Sequence, residues 1–270
     1  MALTPLQRDV CRLLAEHRKL SGEAYVAGGL ALNEVLGGGR VSRDVDVFHD
    51  TETALQTSWA TDLTLLRSNG FVVEPRRERP SFIEAVIRRG PESVIFEWSH
   101  DSAYRFFPLV EHAAFGLTLH PIDLATNKVL ALAGRREPRD FVDALRCVDT
   151  VQPLGLLAWA ACGKDPGWNP VALVDEAVKT ARYSQVELDT LDWEDNGRPD
   201  ARDLGERWHR AVAAARALIP SLPPEEAGTC VMDGEVPARF ESVAEVAAAR
   251  TRGAVSFRRG SIRGAFPQAR

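Results

Sequence analysis

The chain has 270 residues, of which 45% are hydrophobic and 26% charged, and a formal net charge of −5. This is the composition of a soluble globular protein with about two domains or one large one. Its negative balance excludes a protein that holds nucleic acid through bulk positive charge. No apolar run approaches the roughly 20 residues that span a membrane. The N-terminal MALTPLQRDVCRLLAEHRKL is amphipathic and charged, without the uninterrupted apolar core of a signal peptide. Four scattered cysteines, Cys11, Cys147, Cys162 and Cys230, form no C-x-x-C pair, and the six histidines stand apart from one another. Reduced thiols in a cytoplasmic protein are therefore expected, with no zinc site.

Taken in chain order, residues 4–20 have helical spacing at Leu6, Val10, Leu13 and Leu14. A short strand is expected at Tyr25–Gly28, and a helix at Leu30–Leu36 that Gly37-Gly38-Gly39 stops. Val41–Phe48 is a strand, and a helix over 52–69 ends at Gly70. Three β-rich runs, Phe71–Glu74, Phe82–Arg88 and Val94–Trp98, are separated by Pro80 and Gly90-Pro91. From about residue 121 the pattern is helical: Pro121–Ala133, Pro138–Thr150, Leu154–Cys162, Val171–Tyr183, a short helix near 185–192, and Ala201–Leu218. A hairpin around Asp233-Gly234 and a helix near 241–250 follow. The expected fold class is α+β. A small mixed sheet with flanking helices occupies residues 1–120, and a mostly helical domain with a small hairpin and a basic tail occupies 121–270.

The first chemical signal is Gly28-Gly29 followed by Arg40-Val41-Ser42-Arg43-Asp44-Val45-Asp46. Glycines let the backbone approach a ligand closely. In a strand, side chains two apart share a face, so Asp44 and Asp46 present paired hard oxygens suited to Mg²⁺ or Mn²⁺ beside phosphates. Glu97 interrupts the apolar run Ser93–Trp98 and, if its strand lies beside that of Asp44, makes a third carboxylate for a two-metal phosphoryl site. The plain structural alternative is an acidic strand end that meets solvent or an arginine.

The second signal is Lys128 with Arg135, seven residues and about two helical turns apart, followed by Pro138-Arg139-Asp140 and Asp143. A lysine and arginines aimed at a triphosphate offset charge that develops in transfer. Asp140 either accepts a proton from the attacking hydroxyl or orients Lys128. The structural alternative is a helix–helix corner held by ion pairs such as Arg139–Asp143. Arg76, Arg77 and Arg79, near Arg88 and Arg89, are candidates for RNA contact, against a solubilising loop. Arg250, Arg252, Arg258, Arg259, Arg263 and Arg270 form a tail without acidic residues, read alternatively as loose and solvated.

In order, Gly28-Gly29, Arg40-x-Ser42-x-Asp44-Val45-Asp46, Glu97, Asp123-x₄-Lys128 and Arg135-x₃-Arg139-Asp140-x₂-Asp143 resemble the motifs of the AbiEii/AbiGii-type nucleotidyltransferase toxins. That family includes the MenT-like toxins, within the polymerase-β-like nucleotidyltransferase superfamily. The resemblance spans roughly residues 20–150. It implies that Asp44 and Asp46 bind the catalytic metal and that Ser42 lies near the phosphates. It also implies that Lys128 holds the triphosphate and that Asp140 is needed for activity. Many relatives have Gly-Ser where this chain has Gly28-Gly29, which shifts the hydroxyl contact onto Ser42. The implied activity is Mg²⁺-dependent transfer of NMP from an NTP to a hydroxyl acceptor, expected to be tRNA. The chain would act as the toxin of a toxin–antitoxin or phage-defence pair with a cognate antitoxin. The alternatives are an antibiotic-modifying nucleotidyltransferase with a small acceptor and a non-catalytic interaction module with the same fold.

Overall fold

The computed structural model describes residues 3–194 and 197–264. The fold is α+β and divides into two compact units. The first contains everything up to Ala103, then Pro108–His120 and a short stretch from Ile262. The second contains Tyr104–Phe107 and Pro121–Ser261.

In the first unit, α1 (Pro5–Ser21) starts at a reciprocal cap. Thr4 Oγ1 accepts from the Gln7 N–H, the Gln7 side chain accepts from the Thr4 N–H, and Pro5 fills the first turn. Strand β1 (Ala24–Ala27) leads without an intervening loop into α2 (Gly28–Leu36). Strand β2 (Asp44–His49), helix α3 (Glu52–Ser68), and strands β3 (Val72–Arg79), β4 (Phe82–Arg89) and β5 (Glu92–His100) follow. The short β6 (Tyr104–Arg105) belongs to the second unit. Strands β7 (Val110–His112) and β8 (Gly116–Thr118) return to the first.

The resulting seven-stranded sheet has the order β3-β4-β5-β2-β1-β8-β7. It is mixed: β2–β5 and β1–β8 are parallel and the remaining pairs antiparallel. The sheet has two strands beyond the five expected from sequence, because β7 and β8 are too short to show a period. One of its faces is dry. Val45, Val47, Ile83, Ala85, Phe96 and Trp98 are buried, and α1 and α3 contact this part of the sheet. Trp98 Nε1 donates to the buried Asp62 carboxylate of α3 at 2.9 Å. The opposite face holds the alternate residues Asp44, Asp46, Glu97 and Glu84, which are only half buried.

Two expectations change here. Arg76, Arg77 and Arg79 lie in β3, an edge strand that runs on to Arg79, and not in a loop. Pro75 sits at a register shift between Pro75 and Arg77, where a missing N–H is tolerated. Glu97 does not end its strand, which continues to His100.

In the second unit, helices α4 (Pro121–Gly134), α5 (Pro138–Thr150), α6 (Leu154–Ala161), α7 (Pro170–Thr180), α8 (Gln185–Leu188) and α9 (Ala201–Leu218) follow one another, and α6, every residue of which is buried, packs against α4, α7 and α9. Strands β9 (Cys230–Asp233) and β10 (Val236–Pro237) form the Asp233-Gly234 hairpin. After α10 (Val243–Thr251), β11 (Val255–Arg258) joins the other edge of β9. Asp123 in the first turn of α4 accepts from the N–H groups of Phe106 and Phe107 at 2.9 and 3.1 Å and pairs with Lys164 at 2.8 Å. Those bonds fasten Tyr104–Phe107 to the helices.

The basic tail is therefore not loose over its described part. Arg258 Nε donates to the Phe106 carbonyl at 2.7 Å. Arg263, in the first unit, pairs with Glu23 at 3.2 Å and Asp50 at 3.4 Å. Arg270 lies outside the described residues. No helix among the described residues is long and apolar enough to cross a membrane.

Candidate active site

In the first unit the candidate residues converge on one face of β2. The burial of β2 alternates, so Val45, Val47 and His49 enter the core while Asp44 and Asp46 face outward together. Gly28, the first residue of α2, has φ +71°. A Cβ built there would lie 2.0 Å from Asp46 Oδ2. Only glycine fits both that backbone and that contact, so the turn between β1 and α2 is pressed against the acidic strand. No side chain caps α2. An uncapped helix start is a place where backbone N–H groups and the helix dipole favour an anion, and Gly28 and Gly29 are its first two residues. Ser42 is buried in the segment before β2, where its carbonyl accepts from Gln7 Nε2 at 2.9 Å.

The side chain of Asp44 has no hydrogen-bond or ion-pair partner among the described residues. A half-buried carboxylate left unengaged beside a second one is a donor set that fits a hard divalent cation. Mg²⁺ commonly takes one or two protein carboxylates and completes its shell with phosphate oxygens and water. Glu97 stands directly opposite Asp46 in the parallel β2–β5 pair, and Glu84 opposite Glu97 in β4. The expected strand adjacency therefore exists. Yet among the described residues no group of three or more His, Cys, Asp and Glu side chains gathers closely enough to hold a metal. Glu97 shares the face without completing a three-carboxylate cage.

In the second unit, α4 and α5 bring Lys128, Arg135, Asp140 and Asp143 together. Lys128 Nζ meets Asp140 at 2.8 Å and Asp143 at 3.2 Å, and Arg135 Nε meets Asp140 at 2.7 Å. Lys128, Asp140 and Asp143 are buried, whereas Arg135 is half exposed. Burial pushes the Asp140 carboxyl upward, but the Lys128 and Arg135 charges and hydrogen bonds prevail and hold it below the ordinary carboxylate range. A carboxylate so held is a poor proton acceptor, which favours its orienting role toward Lys128. Arg139 takes no part in this cluster. Its guanidinium lies 3.9 Å from Glu137, and the anticipated Arg139–Asp143 pair is absent because Asp143 turns to Lys128.

Arg76 and Arg77 project from the edge strand and are more than half exposed. Arg77 lies 3.9 Å from Glu84, so part of its charge is spent on the carboxylate row. Glu84 had no distinguishing sign in the sequence. It alternates with apolar residues as any half-exposed strand position does, and only the β4–β5 register puts it beside Glu97.

No protein-family model matches the chain, and no curated protein matches it. Among solved structures, MenT4, a nucleotidyltransferase toxin from Mycobacterium tuberculosis H37Rv, aligns with a TM-score of 0.54 at 15% identity, over 82% of this chain and 85% of that one. JHP933 from Helicobacter pylori aligns with a TM-score of 0.53 at 14% identity, over 81% of this chain and 95% of its own. A nucleotidyltransferase candidate from H. pylori gives 0.53 at 15% identity, over 82% and 99%. The chain has a nucleotidyltransferase fold. Within that fold the glycine turn, the acidic pair on β2 and the α4–α5 charge cluster are the features with chemical potential.

Proposed function

We propose that the protein is a Mg²⁺-dependent nucleotidyltransferase that moves NMP from an NTP onto a hydroxyl of an RNA acceptor, with tRNA as the acceptor class. We propose further that it acts as the toxin of a toxin–antitoxin or phage-defence pair. The observation that carries this reading is the contact of Gly28 with Asp46, where an uncapped helix start suited to phosphate abuts a carboxylate pair suited to a cation. The fold it shares with MenT4 and its resemblance to the AbiEii/AbiGii-type toxins support the same reading.

In the proposed reaction the acceptor oxygen forms a bond to the α-phosphorus. The bond from that phosphorus to the pyrophosphate oxygen breaks, pyrophosphate leaves with the electron pair, and the hydroxyl proton passes to water. Asp44 and Asp46 would hold Mg²⁺ or Mn²⁺, which when bound neutralises charge on the transferring phosphate. The Gly28 and Gly29 N–H groups and Ser42 would orient phosphate oxygens. Lys128, kept in one geometry by Asp140 and Asp143, would supply positive charge toward the triphosphate, with Arg135 and Arg139 near it in sequence. Arg76, Arg77 and Arg79 would steer the RNA acceptor.

The test is incubation of wild type and Asp44→Ala with Mg²⁺, each labelled NTP and total tRNA. Label in RNA with the wild type alone supports the proposal. A folded wild type that labels no RNA but modifies an aminoglycoside-like amine replaces the RNA acceptor with a small one. Transfer that persists in Asp44→Ala removes the acidic pair from the chemistry.

A further inference from the structure

The face of the sheet that bears Asp44 and Asp46 continues beyond β2 over β5, β4 and β3. Residues paired across neighbouring strands share a face, so the register extends it residue by residue. Asp44 is followed by Ile95 and Val86, and Asp46 by Glu97, Glu84 and Arg77. Ile95 thus stands immediately beside Asp44, and 37% of it is exposed. The other apolar residues of β5, Val94, Phe96 and Trp98, are buried on the dry face. Val86 continues the apolar surface from Ile95, and Val72 of β3, more than half exposed, lies diagonally beyond Val86. An exposed apolar strip rimmed by charged residues is a mark of ligand contact.

The geometry of transfer decides which ligand lies there. Strands β1 and β5 flank β2 on opposite sides. Gly28, directly after β1, is pressed against Asp46, so on the proposed reading the donor's phosphates lie on the β1 side. Displacement at phosphorus is in line: the attacking oxygen and the leaving pyrophosphate take opposite sides of the α-phosphorus. With pyrophosphate held toward the Gly28 turn, the acceptor hydroxyl comes in over β5, where Ile95 is. The charges on that side agree. Glu97 and Glu84 occupy the row that leads away from Asp46 and oppose a phosphate directly above them. The uncharged part of a nucleotide, its ribose and base, meets no such opposition on Ile95 and Val86. Cations stand farther out, at Arg88 of β4 and at Arg76, Arg77 and Arg79 of β3. Of these Arg79, on the same face through its pairing with Phe82, is exposed and has no ion pair among the described residues.

We propose that Ile95 and Val86 form the platform for the terminal ribose and base of the RNA acceptor. The platform aims the acceptor's hydroxyl at the α-phosphate beside Asp44 and Asp46, and the preceding phosphates run out toward Arg79. The inference rests on the transfer reaction proposed above and adds to it the side from which the acceptor enters and the residue on which it lies. It makes Ile95 a determinant of acceptor use and leaves the donor nucleotide to the β1 side.

The test separates acceptor from donor. Transfer by the full-length wild type, Ile95→Ser and Ile95→Val is measured with Mg²⁺, labelled NTP and total tRNA, one substrate being varied while the other saturates. Binding of 5′-fluorescein-labelled tRNA without NTP is read by anisotropy. Ile95→Ser is expected to raise the acceptor KM at least about fivefold and to weaken tRNA binding in step, with the NTP KM within about twofold of wild type. Ile95→Val keeps an aliphatic surface and should hold the acceptor KM within about twofold. A merely structural role would instead move both KM values together or lower kcat alone. Should Ile95→Ser fail to fold, Ile95→Thr, which is β-branched and also polar, decides. Acceptor KM and tRNA affinity within about twofold of wild type in the folded polar variant, or a rise in the NTP KM equal to or above that of the acceptor, overturn the platform, while RNA labelling by the wild type keeps the transfer reading. A wild type that binds tRNA with dependence on Ile95 yet transfers nothing keeps the platform and sinks the transfer reading. Transfer to an aminoglycoside-like amine in place of RNA, or no binding of tRNA by the wild type, overturns the proposal.

Discussion

The acidic face of β2 and the α4–α5 corner contain the same kinds of side chain in opposite electrical states. At the corner every buried charge has its counter-charge within the fold: Asp140 receives both Lys128 and Arg135, and Asp143 receives Lys128. On β2, Asp44 is half buried, and its side chain has no partner among the described residues. Charges matched inside the protein fix geometry, because separating them would strand a desolvated ion. A charge left unmatched at a glycine-floored face is free to take its partner from a ligand. On the proposed reading, the contrast separates a residue that would handle substrate from one that would hold the handler in place, and it can be broken experimentally.

The largest effect is expected on activity at the unmatched site. Asp44→Ala should lower NMP transfer by at least about a thousandfold, near 4 kcal/mol of transition-state stabilisation. It should leave the melting temperature within a few degrees of wild type, because no internal partner is lost. A large fall in stability would mean that Asp44 is matched after all. Asp140→Ala should behave in the reverse manner, destabilising the fold by about 3 kcal/mol in denaturant titration because Lys128 loses a buried partner. Full stability in that variant would make the corner dispensable to the fold.

Gly28→Ala should cost about 1–2 kcal/mol from the positive φ and should also lower transfer, since the new methyl group collides with Asp46. Unchanged transfer would dissociate the turn from the acidic pair.

The two units should also differ in acid. His49 is buried in the first unit, and burial pushes its pKa down to about 4 from the ordinary 6.5. The folded state therefore keeps it neutral while the unfolded state takes the proton. Stability from this group is complete above about pH 6.5 and drains as the pH falls toward 4, about 3 kcal/mol in all. His17 acts with the opposite sign. Its approach to the Asp62 carboxylate, at 3.4 Å, raises its pKa, so its contribution is present below pH 6.5 and fades as the pH rises through its folded value. Asp140 has a lowered pKa, and its stabilisation lasts down to about pH 4 and is lost only below. Hydrogen exchange at pH 5 should find the first unit loosened before the second, and His49→Gln should flatten that difference. Simultaneous loosening of both units would refute the assignment. The smallest effect belongs to the long Arg77–Glu84 pair, whose arginine is mostly in solvent, where Arg77→Ala should change stability by less than about 0.5 kcal/mol.

Elements with strong local signals were readable from sequence alone. Helices α5 and α9 begin and end where Pro138 and Asp200 start them and where their apolar periods lapse. The hairpin forms at Asp233-Gly234, with Gly234 at φ +61°. Strand β8 could not be read, since its three residues become a strand only through pairing with β1, where Thr118 Oγ1 also donates to the Val26 carbonyl at 2.7 Å. The joining of Tyr104–Phe107 to the second unit depends on Asp123, and the docking of β11 depends on β9, both non-local contacts. In the candidate site, the sharing of one face by Asp44 and Asp46 follows from strand period. The position of Glu97 opposite Asp46 is a matter of register, set by tertiary pairing. The engagement of Lys128 with both Asp140 and Asp143 needed the angle between two helices, which no spacing rule contains.

Strand β3 bears on how this protein keeps to itself. A seven-stranded sheet that is not closed has a rim of backbone donors and acceptors able to recruit another chain. At one rim this protein sets Pro75, which offers no N–H, a register slip beside it, and Arg76, Arg77 and Arg79 in quick succession. A second copy approaching strand to strand would bring like charges together across a ladder already broken at its middle. The same arginines that would draw in a polyanion would thus also oppose growth of the sheet through this edge. Replacing all three by valine should therefore turn a dispersed protein into one that associates through its edge.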